Sequence, residues 1–574
     1  MSDGPVRWSG RYFSMNIQVQ IVITGRDGAS EVQRLGLQAE LAEEGERLID
    51  AVDQSVQTLF NQAARRVLGD YLERLAESKA QAECAAHGGE LTLNDTPYRI
   101  DAECGRLSCR TYAVRVGREP VWNTVGDLLP PLGPREYYRT AELNHWLMTL
   151  ASGLSYREAA AFLNRIRRET TNPTPARTVE DIIQREGTAL QLQWRDWATQ
   201  VLTTHNFTPE GQPRSAEGTE GQRPADLAEL GLAPACVQQA IAAYNAGKPE
   251  ASRLPAEAAA AFYEDPQRTV SVSLDDVGVR KQKEERVRPA PATGPRVTPP
   301  SGSDQQPAGR GSAALCPGAP AGSPRAPAAE TAGGRGGSAD RPERDAAPAP
   351  KPSRPSVHNT IAHIQSSRGT YLINGLGTAM VLKLVLAFLL HWDMLSGYYL
   401  QFFVDGQRTL QAAILERLAW LQPLRLILDW YHLREKCAKE LSTALRGRHI
   451  RNTVLGRLLP LLWLGRVDAA IAYLRGLGTD WFKAGQAAEA LIGYFERNRA
   501  HIPCYALRKQ LGLRNSSNRG EKANDLCVAG RQKHQGMSWS TTGSVALASV
   551  VTLRRNEQLE RWCTDHQQHF AWVA

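Results

Sequence analysis

Three short apolar runs, each ended by an aspartate, constrain this chain more than any other feature. They read "VSVSLDD" to Asp275 and Asp276, "YYLQFFVDG" to Asp405, and "PLRLILDWYH" to Asp429. Runs this rich in β-branched, aromatic and aliphatic residues predict strands. Gly406 makes a turn after the second, and an amphipathic pattern, "RTLQAAILERL", follows it. The outline is α/β, with carboxylates at strand ends. For any one of these aspartates alone a turn is sufficient explanation. Together with a further carboxylate they point to chemistry.

That carboxylate is Glu521, within "SSNRGEKANDLCVAGRQKHQGMSWS" at 516–540. Asn518 reads as a helix N-cap and Glu521, three residues on, as the other half of a capping box. Its neighbours Arg519, Lys522, Arg531, Lys533 and His534 read as cations that face phosphate. Two strand-end aspartates and a helical glutamate can converge on two divalent cations, Mg²⁺ or Mn²⁺, which need hard oxygen ligands. Such ions orient a water or a sugar hydroxyl in line with a phosphodiester, which is nuclease or strand-transfer chemistry. Asp276 competes with Asp275, because a one-residue shift in a strand exchanges faces. His432, three residues after Asp429, shares one side of the first helical turn with it, near the sheet's carboxyl edge.

Charge agrees with a polyanionic partner: the 574 residues carry a net charge of +8. Lys and Arg clusters gain free energy by releasing counterions from nucleic acid. The nine cysteines are scattered and predict a reducing setting. The apolar run from Leu376 to Trp392 is interrupted by Lys383 and His391 and falls short of the roughly 20 residues that span a bilayer, so a buried helix and no membrane are expected.

Residues 287–356 hold 15 of the chain's 33 prolines and predict a disordered, extended linker. The strand-like patterns on either side, "TVSVSLDDVGVRKQKEER" and "SVHNTIAHIQSSRGTYLINGLG", are expected to pair across it. The first 80 residues read as mostly helical, a docking or oligomerisation pair. Behind them Cys84, His87, Cys104 and Cys109 are spaced loosely like a zinc ribbon, with buried thiols the stronger reading and Zn²⁺ the weaker. Ser155 with Glu158, and Thr178 with Asp181, have capping-box spacing around a Pro-containing turn. That is a helix-turn-helix outline, which reads equally as a DNA-contacting pair with Arg165, Arg167, Arg168 and Arg177 around its turn and as an ordinary helix-packing unit. The segment from Cys437 to Arg499 is helical throughout, and its Trp463 and Trp481 are read as core before base-stacking.

The succession "SLDDVGVRKQKEER", "FFVDGQRTL", "LILDWYHLREK" and the Glu521 segment resembles the bacterial insertion-sequence transposases of the ISKra and ISLre groups, related to Mutator-like transposases. The likeness covers roughly residues 130 to 574. It implies a ribonuclease H-like catalytic domain whose DDE triad is Asp275, Asp405 and Glu521, with Asp429 and His432 as an auxiliary site. Its further implications are cleavage and strand transfer at terminal inverted repeats, target DNA as second substrate, a homo-oligomer in action, and a cytoplasmic, nucleoid-associated place in a bacterium. The expected division is an N-terminal helical region at 1–130, a helix-turn-helix region at 131–266, and the catalytic domain at 267–574 with a helical insertion at about 437–500. Two rivals stand beside this reading, an inactive DNA-binding descendant and a plain ribonuclease H-like nuclease or resolvase.

Overall fold

A computed structural model describes residues 13–24, 30–41, 46–95, 97–116, 119–123, 137–169, 172–215, 226–282, 355–421 and 424–574. Of the proline-rich insert expected at 287–356, residues 287–354 lie outside the described residues, and Ser356 already begins a strand. The described residues begin with two antiparallel strands, β1 (Phe13–Thr24) and β2 (Ser30–Leu41), before the long helix α1 (Glu46–His87). This corrects the expectation of a mostly helical N-terminus. "FSMNIQVQIVIT" alternates with period two and is β-branched, so it forms a strand. "EVQRLGLQAEL" then pairs with it in register, which overrides the helical spacing of its leucines. Strands β3 (Glu90–Leu93), β4 (Tyr98–Ala102), β5 (Gly105–Cys109), β6 (Tyr112–Val116), β7 (Glu119–Asn123) and β8 (Tyr138–Arg139) form two three-stranded sheets of order β3-β6-β7 and β5-β4-β8.

Three helices follow, α2 (Ala141–Ala151), α3 (Tyr156–Arg167) and α4 (Ala176–Thr204). The first capping box forms in both directions. Glu158 N donates to Ser155 Oγ at 3.2 Å, and Ser155 N donates to Glu158 Oε2 at 2.9 Å. The second does not form: α4 starts at Ala176 behind an extended Pro175, so Thr178 already lies inside the helix. Nor is α4 a short reading helix. Val179, Ile182, Ile183 and Leu190 pack with α2 and α3, while Trp194, Ala198 and Leu202 belong to the core of the central sheet. The helix-turn-helix region expected at 131–266 is therefore part of the main body, tied in through α4. Two small helices, α5 (Pro234–Asn245) and α6 (Ala256–Ala260), lead to the sheet.

That sheet comprises β9 (Thr269–Arg280), β10 (Ser356–Ser366), β11 (Gly369–Leu376), β12 (Tyr399–Val404) and β13 (Leu424–Leu428), in the order β11-β10-β9-β12-β13. As expected, the strands flanking the insert pair, antiparallel, with Ile361 opposite Asp275. β12 runs parallel to both β9 and β13. One face is apolar: Val270, Val272 and Leu274 join Ala362, Ile364, Leu400, Phe402 and Val404 in one core. Helix α7 (Thr378–His391) covers it, buried along most of its length as the apolar run predicted. Its Lys383 Nζ escapes to Thr199 Oγ1 at 2.9 Å. Among the described residues no helix is long and apolar enough to cross a membrane. α8 (Arg408–Leu418) connects β12 to β13. The opposite face carries Ser271, Ser273, His363 and Gln401, all buried and polar.

After β13 come the expected inserted helices, α9 (Trp430–Ala444), α10 (Arg448–Trp463), α11 (Val467–Arg475), α12 (Gly485–Arg497) and α13 (Tyr505–Gln510). They have their own core, in which Trp463 packs on Trp430 and Tyr505 at 4.7 and 5.9 Å between ring centres. Trp481 is packed against the same cluster. The chain ends in α14 (Asn518–Asn524), a π-helical turn (Asp525–Ala529), α15 (Gly530–Gln532), α16 (Thr541–Arg555) and α17 (Leu559–Asp565).

Helices α4 and α16 meet at Gly187, where a Cβ would run into the backbone of Ala546. Gly187→Ala gains about 1 kcal/mol of helix propensity and is still expected to lower stability, since overpacking against backbone costs about 1–3 kcal/mol or more. A guanidinium titration checks this; an unchanged or raised midpoint contradicts the close approach.

Candidate functional site

β9 and β12 are neighbours in parallel register, with Phe403 beside Ser273. Two residues further, and so on the same face of the pleat, Asp405 follows Phe403 and Asp275 follows Ser273. Two carboxylates thus stand side by side, Asp405 just past the end of β12 and Asp275 in the middle of β9; the strand end expected at Asp275 is corrected, because pairing with β10 carries β9 on to Arg280. Asp405 Oδ1 accepts from Gln407 N at 2.9 Å, closing the turn in which Gly406 adopts φ +90°. The Tyr494 hydroxyl of α12 donates to Asp405 O at 3.4 Å, and its ring lies where a side chain at Gly406 would go. Burial, then Cys437 and the Asp405 and Asp429 carboxylates, push the Tyr494 phenol well up, so it stays a neutral donor.

Asp275 is held by its own strand and by α14. Its Oδ1 accepts from Asp276 N at 2.9 Å and its Oδ2 from Asn524 Nδ2 at 2.7 Å. Asp276 lies on the other face of the pleat, where Thr360 Oγ1 donates to it at 2.6 Å and His358 Nδ1 is 3.7 Å away. Helix α14 reaches β9 because residue 520 is glycine: a Cβ there would come within 2.7 Å of Ser273 Cβ. Glu521 and Asn524, three residues apart, occupy one side of this helix.

The expected capping box at Glu521 does not form. Ser517, not Asn518, is the N-cap, without a side-chain cap bond, and Glu521 Oε1 instead meets His432 Nε2 at 2.8 Å. Asp429 explains why these two are within reach. It is fully buried and caps α9, accepting from Tyr431 N at 2.6 Å and His432 N at 2.9 Å. It also accepts from Ser517 N and, at 3.0 Å, from Ser517 Oγ. One carboxylate therefore pins the first turn of α9 to the first turn of α14. With its oxygens engaged in this way, Asp429 acts as a clamp that positions His432 and Glu521.

The structure brings Asp275 and Asp405 together and fastens the Glu521 helix to Asp275 through Asn524. It does not close the three carboxylates into one cluster: among the described residues no three His, Cys, Asp or Glu side chains are gathered to hold a metal ion. Cys84 and His87 end α1, Cys104 lies in the β4–β5 turn and Cys109 ends β5. Asp275 and Asp405 have no ion-pair partner among the described residues.

The predicted DNA-facing cations divide. Arg165, Lys522 and Lys533 are exposed. Arg519 is exposed and donates to Gln365 Oε1 at 2.7 Å. Arg177 pairs within its own helix with Glu180 at 3.3 Å and Asp181 at 2.9 Å. Arg168 closes α3 in the left-handed conformation, φ 51°, 3.9 Å from Asp53. Arg167 is buried against Asp101 at 2.8 Å. Arg531 is a correction. Only 3% exposed, it donates to Leu154 O at 2.8 Å and lies over the rings of Tyr156 and Trp539 at 5.6 and 5.3 Å. Apolar and aromatic neighbours on three elements make it a structural cation. Residues not singled out from sequence, Asn524, Ser517 and Tyr494, complete the site. Asn524 was findable, one helical turn past Glu521; Tyr494 was not, being far along an inserted helix.

No protein-family model, curated protein or solved structure matches this chain.

His363, opposite Ser273 on the polar face, has its pKa lowered to about 4 by burial and then by Arg514 and Arg519. A folded pKa below the unfolded value of about 6.5 contributes stability that is complete above pH 6.5 and lost as pH falls towards 4. The loss is expected to be on the order of 3 kcal/mol. Comparing urea midpoints of the unaltered chain and His363→Gln between pH 7 and 4 measures it; parallel profiles would contradict it.

Proposed function

We propose that this chain is a DNA transposase of the bacterial insertion-sequence kind, with a ribonuclease H-like catalytic domain built on the mixed sheet. The observation that carries the reading is the juxtaposition of Asp275, within β9, and Asp405, at the end of its parallel neighbour β12, with no cation to neutralise them among the described residues. Two adjacent carboxylates repel, and a protein that places them so without an Arg or Lys partner has left room for an external positive charge. The donor chemistry suits two Mg²⁺ or Mn²⁺ ions, since all three acids offer hard oxygen and none is paired to Arg or Lys among the described residues, but Glu521 would have to leave His432 to join the other two. Asp275 and Asp405 would hold the ions from the sheet, and Glu521 from α14.

Bound ions would supply neutralisation of the phosphodiester and acidification of the attacking water or 3′ hydroxyl. The chain's own residues do the rest by positioning. Asn524 fixes the direction of the Asp275 carboxylate, the Asp405 turn is held by Gln407 N and Tyr494, and Asp429 sets the distance between α9 and α14. Exposed Arg519, Lys522 and Lys533 on the Glu521 segment suit contacts to DNA backbone. The substrates in this reading are the element's terminal repeats and a target duplex, with more than one protomer in the active complex.

The Glu521–His432 contact favours a second reading, a DNA-binding descendant that no longer cuts, because that glutamate is occupied by a neighbour. Strand cleavage separates the two. The full chain is incubated with Mg²⁺ or Mn²⁺ and an oligonucleotide carrying the terminal repeats, with unrelated DNA as a parallel substrate. Metal-dependent cleavage confined to the repeats is expected. Asp275→Asn, Asp405→Asn and Glu521→Gln should each lower it by at least about 100-fold, and Asp276→Asn should leave it in place. Cleavage of both substrates alike would make this a general nuclease; undiminished cleavage by Glu521→Gln removes Glu521 from the triad.

A further inference from the structure

The polar face of the sheet does not end at Asp275. Towards the start of β9 it opens into a cavity of about 250 Å³, lined by Thr269, Ser271, Gln365, Ser366, Gln401 and Arg514. Its charge balance is decided by two arginines. Glu264, which also lines it, is answered by the buried Arg508, whose two terminal nitrogens donate to it at 2.8 and 2.5 Å. The Arg514 guanidinium has no hydrogen-bond or ion-pair partner among the described residues, although burial and the nearby Arg519 lower its pKa to about 10. It is still a cation at neutral pH. A half-buried cation without a partner is costly unless an anion joins it.

A second group in the same cavity is also incomplete. Gln401 is 3% exposed, and its Nε2 donates to Ser271 Oγ at 2.8 Å. Its Oε1 is buried with no partner among the described residues. Exchanging the two ends of the amide would leave the nitrogen unpaired instead, so one half of this amide lacks a partner in either assignment. Buried polar groups are rarely left so, at a cost of about 1–3 kcal/mol. A ligand that satisfies both residues has an anionic end and, within the same 250 Å³, a hydrogen-bonding edge. Pro266 and Leu513 add apolar walls between them.

The geometry points to a nucleotide pocket: one unstacked nucleotide of a bound DNA strand, its phosphate on Arg514 and the edge of its base on Gln401. The inference rests on the reading of the chain as a DNA-processing enzyme and names how that site would grip its strand. An amide is suited to a base edge, as Asn and Gln are to adenine. Ser271 precedes Asp275 by four residues on one strand and one face, about 13 Å at the rise of a β-strand. That is the span of about four stacked nucleotides. Helix α14 covers Ser273 between these two stations, so a strand with its scissile phosphate at Asp275 and Asp405 would skirt α14 to reach the cavity mouth. Arg519, tied to Gln365 at 2.7 Å, stands at that mouth as a second backbone contact.

The test uses the full chain with Asp275→Asn, so that DNA is bound and not cut, and a twelve-nucleotide single strand containing 2-aminopurine, whose fluorescence rises when the base unstacks. Binding should raise the fluorescence. dAMP should compete, while inorganic phosphate and deoxyadenosine at equal concentration should compete at least tenfold less well. Arg514→Gln, a half-exposed position, should weaken dAMP competition at least tenfold with unchanged circular dichroism, and Arg514→Lys should restore part of it. Gln401→Leu should alter the ranking of dAMP against dTMP. Phosphate competing as well as dAMP would reduce the site to an anion pocket and overturn the nucleotide. A fluorescence rise that Arg514→Gln and Gln401→Leu both leave unchanged would place the unstacked base elsewhere. These readouts need no cleavage, so a chain that unstacks the base but never cuts retains the pocket and loses the transposase reading. Cleavage without any fluorescence rise does the reverse.

Discussion

The parallel pairing of β9 with β12 is the constraint on which the rest of the central body depends. Parallel neighbours cannot be joined by a tight turn and need a long crossover. Here the crossover is β10, β11 and α7, and it does two further jobs. It covers one face of the sheet with an almost wholly apolar helix, and it pairs the remaining edge of β9, so that the strand's backbone is bonded on both sides. With Val270, Val272 and Leu274 committed to the core, a one-residue slip would bury Asp275 and expose the valines. The register is held by burial, and the neighbouring positions of Asp275 and Asp405 are a consequence of it.

A second level of order comes from how charge is handled inside the fold. Buried cations are answered locally: Arg167 by Asp101, Arg508 by Glu264, Arg531 by carbonyl and aromatic faces. Asp429 is the anionic counterpart, a carboxylate satisfied by backbone amides and the Ser517 hydroxyl, and so able to join two helices without a counter-ion. Against that pattern the unmatched groups stand out, Asp275 and Asp405 on one side and Arg514 on the other, on one polar face. Opposite unmet charges at two stations on one face are what the proposed binding of metal ions and a phosphate backbone would require.

Much of this was legible along the chain. The strand-end positions of Asp405 and Asp429, the pairing of 269–280 with 356–366, the buried α7 and the inserted helices all follow from local composition and period, because each segment's pattern agrees with what its surroundings demand. The misreadings share a cause as well. "EVQRLGLQAEL" has helical spacing but a strand partner; Thr178 has capping spacing but a proline that starts the helix earlier; Arg531 sits in a basic run but is packed between Tyr156 and Trp539. In the first and third a long-range contact, and at Thr178 a proline only three residues before it, overrode a local signal of a few tenths to about 1 kcal/mol.

By itself the sequence determined the α/β class, which residues form the sheet and that Asp405 and Asp429 stand at strand ends, since side-chain period and turn chemistry act over a few residues. Only the tertiary structure decided that Asp275, and not Asp276, faces α14, that Glu521 meets His432 and not its own helix cap, and that Gln401 and Arg514 lack partners in one cavity. Those facts depend on which face of a strand a helix from the far end of the chain covers, and no local pattern carries that information.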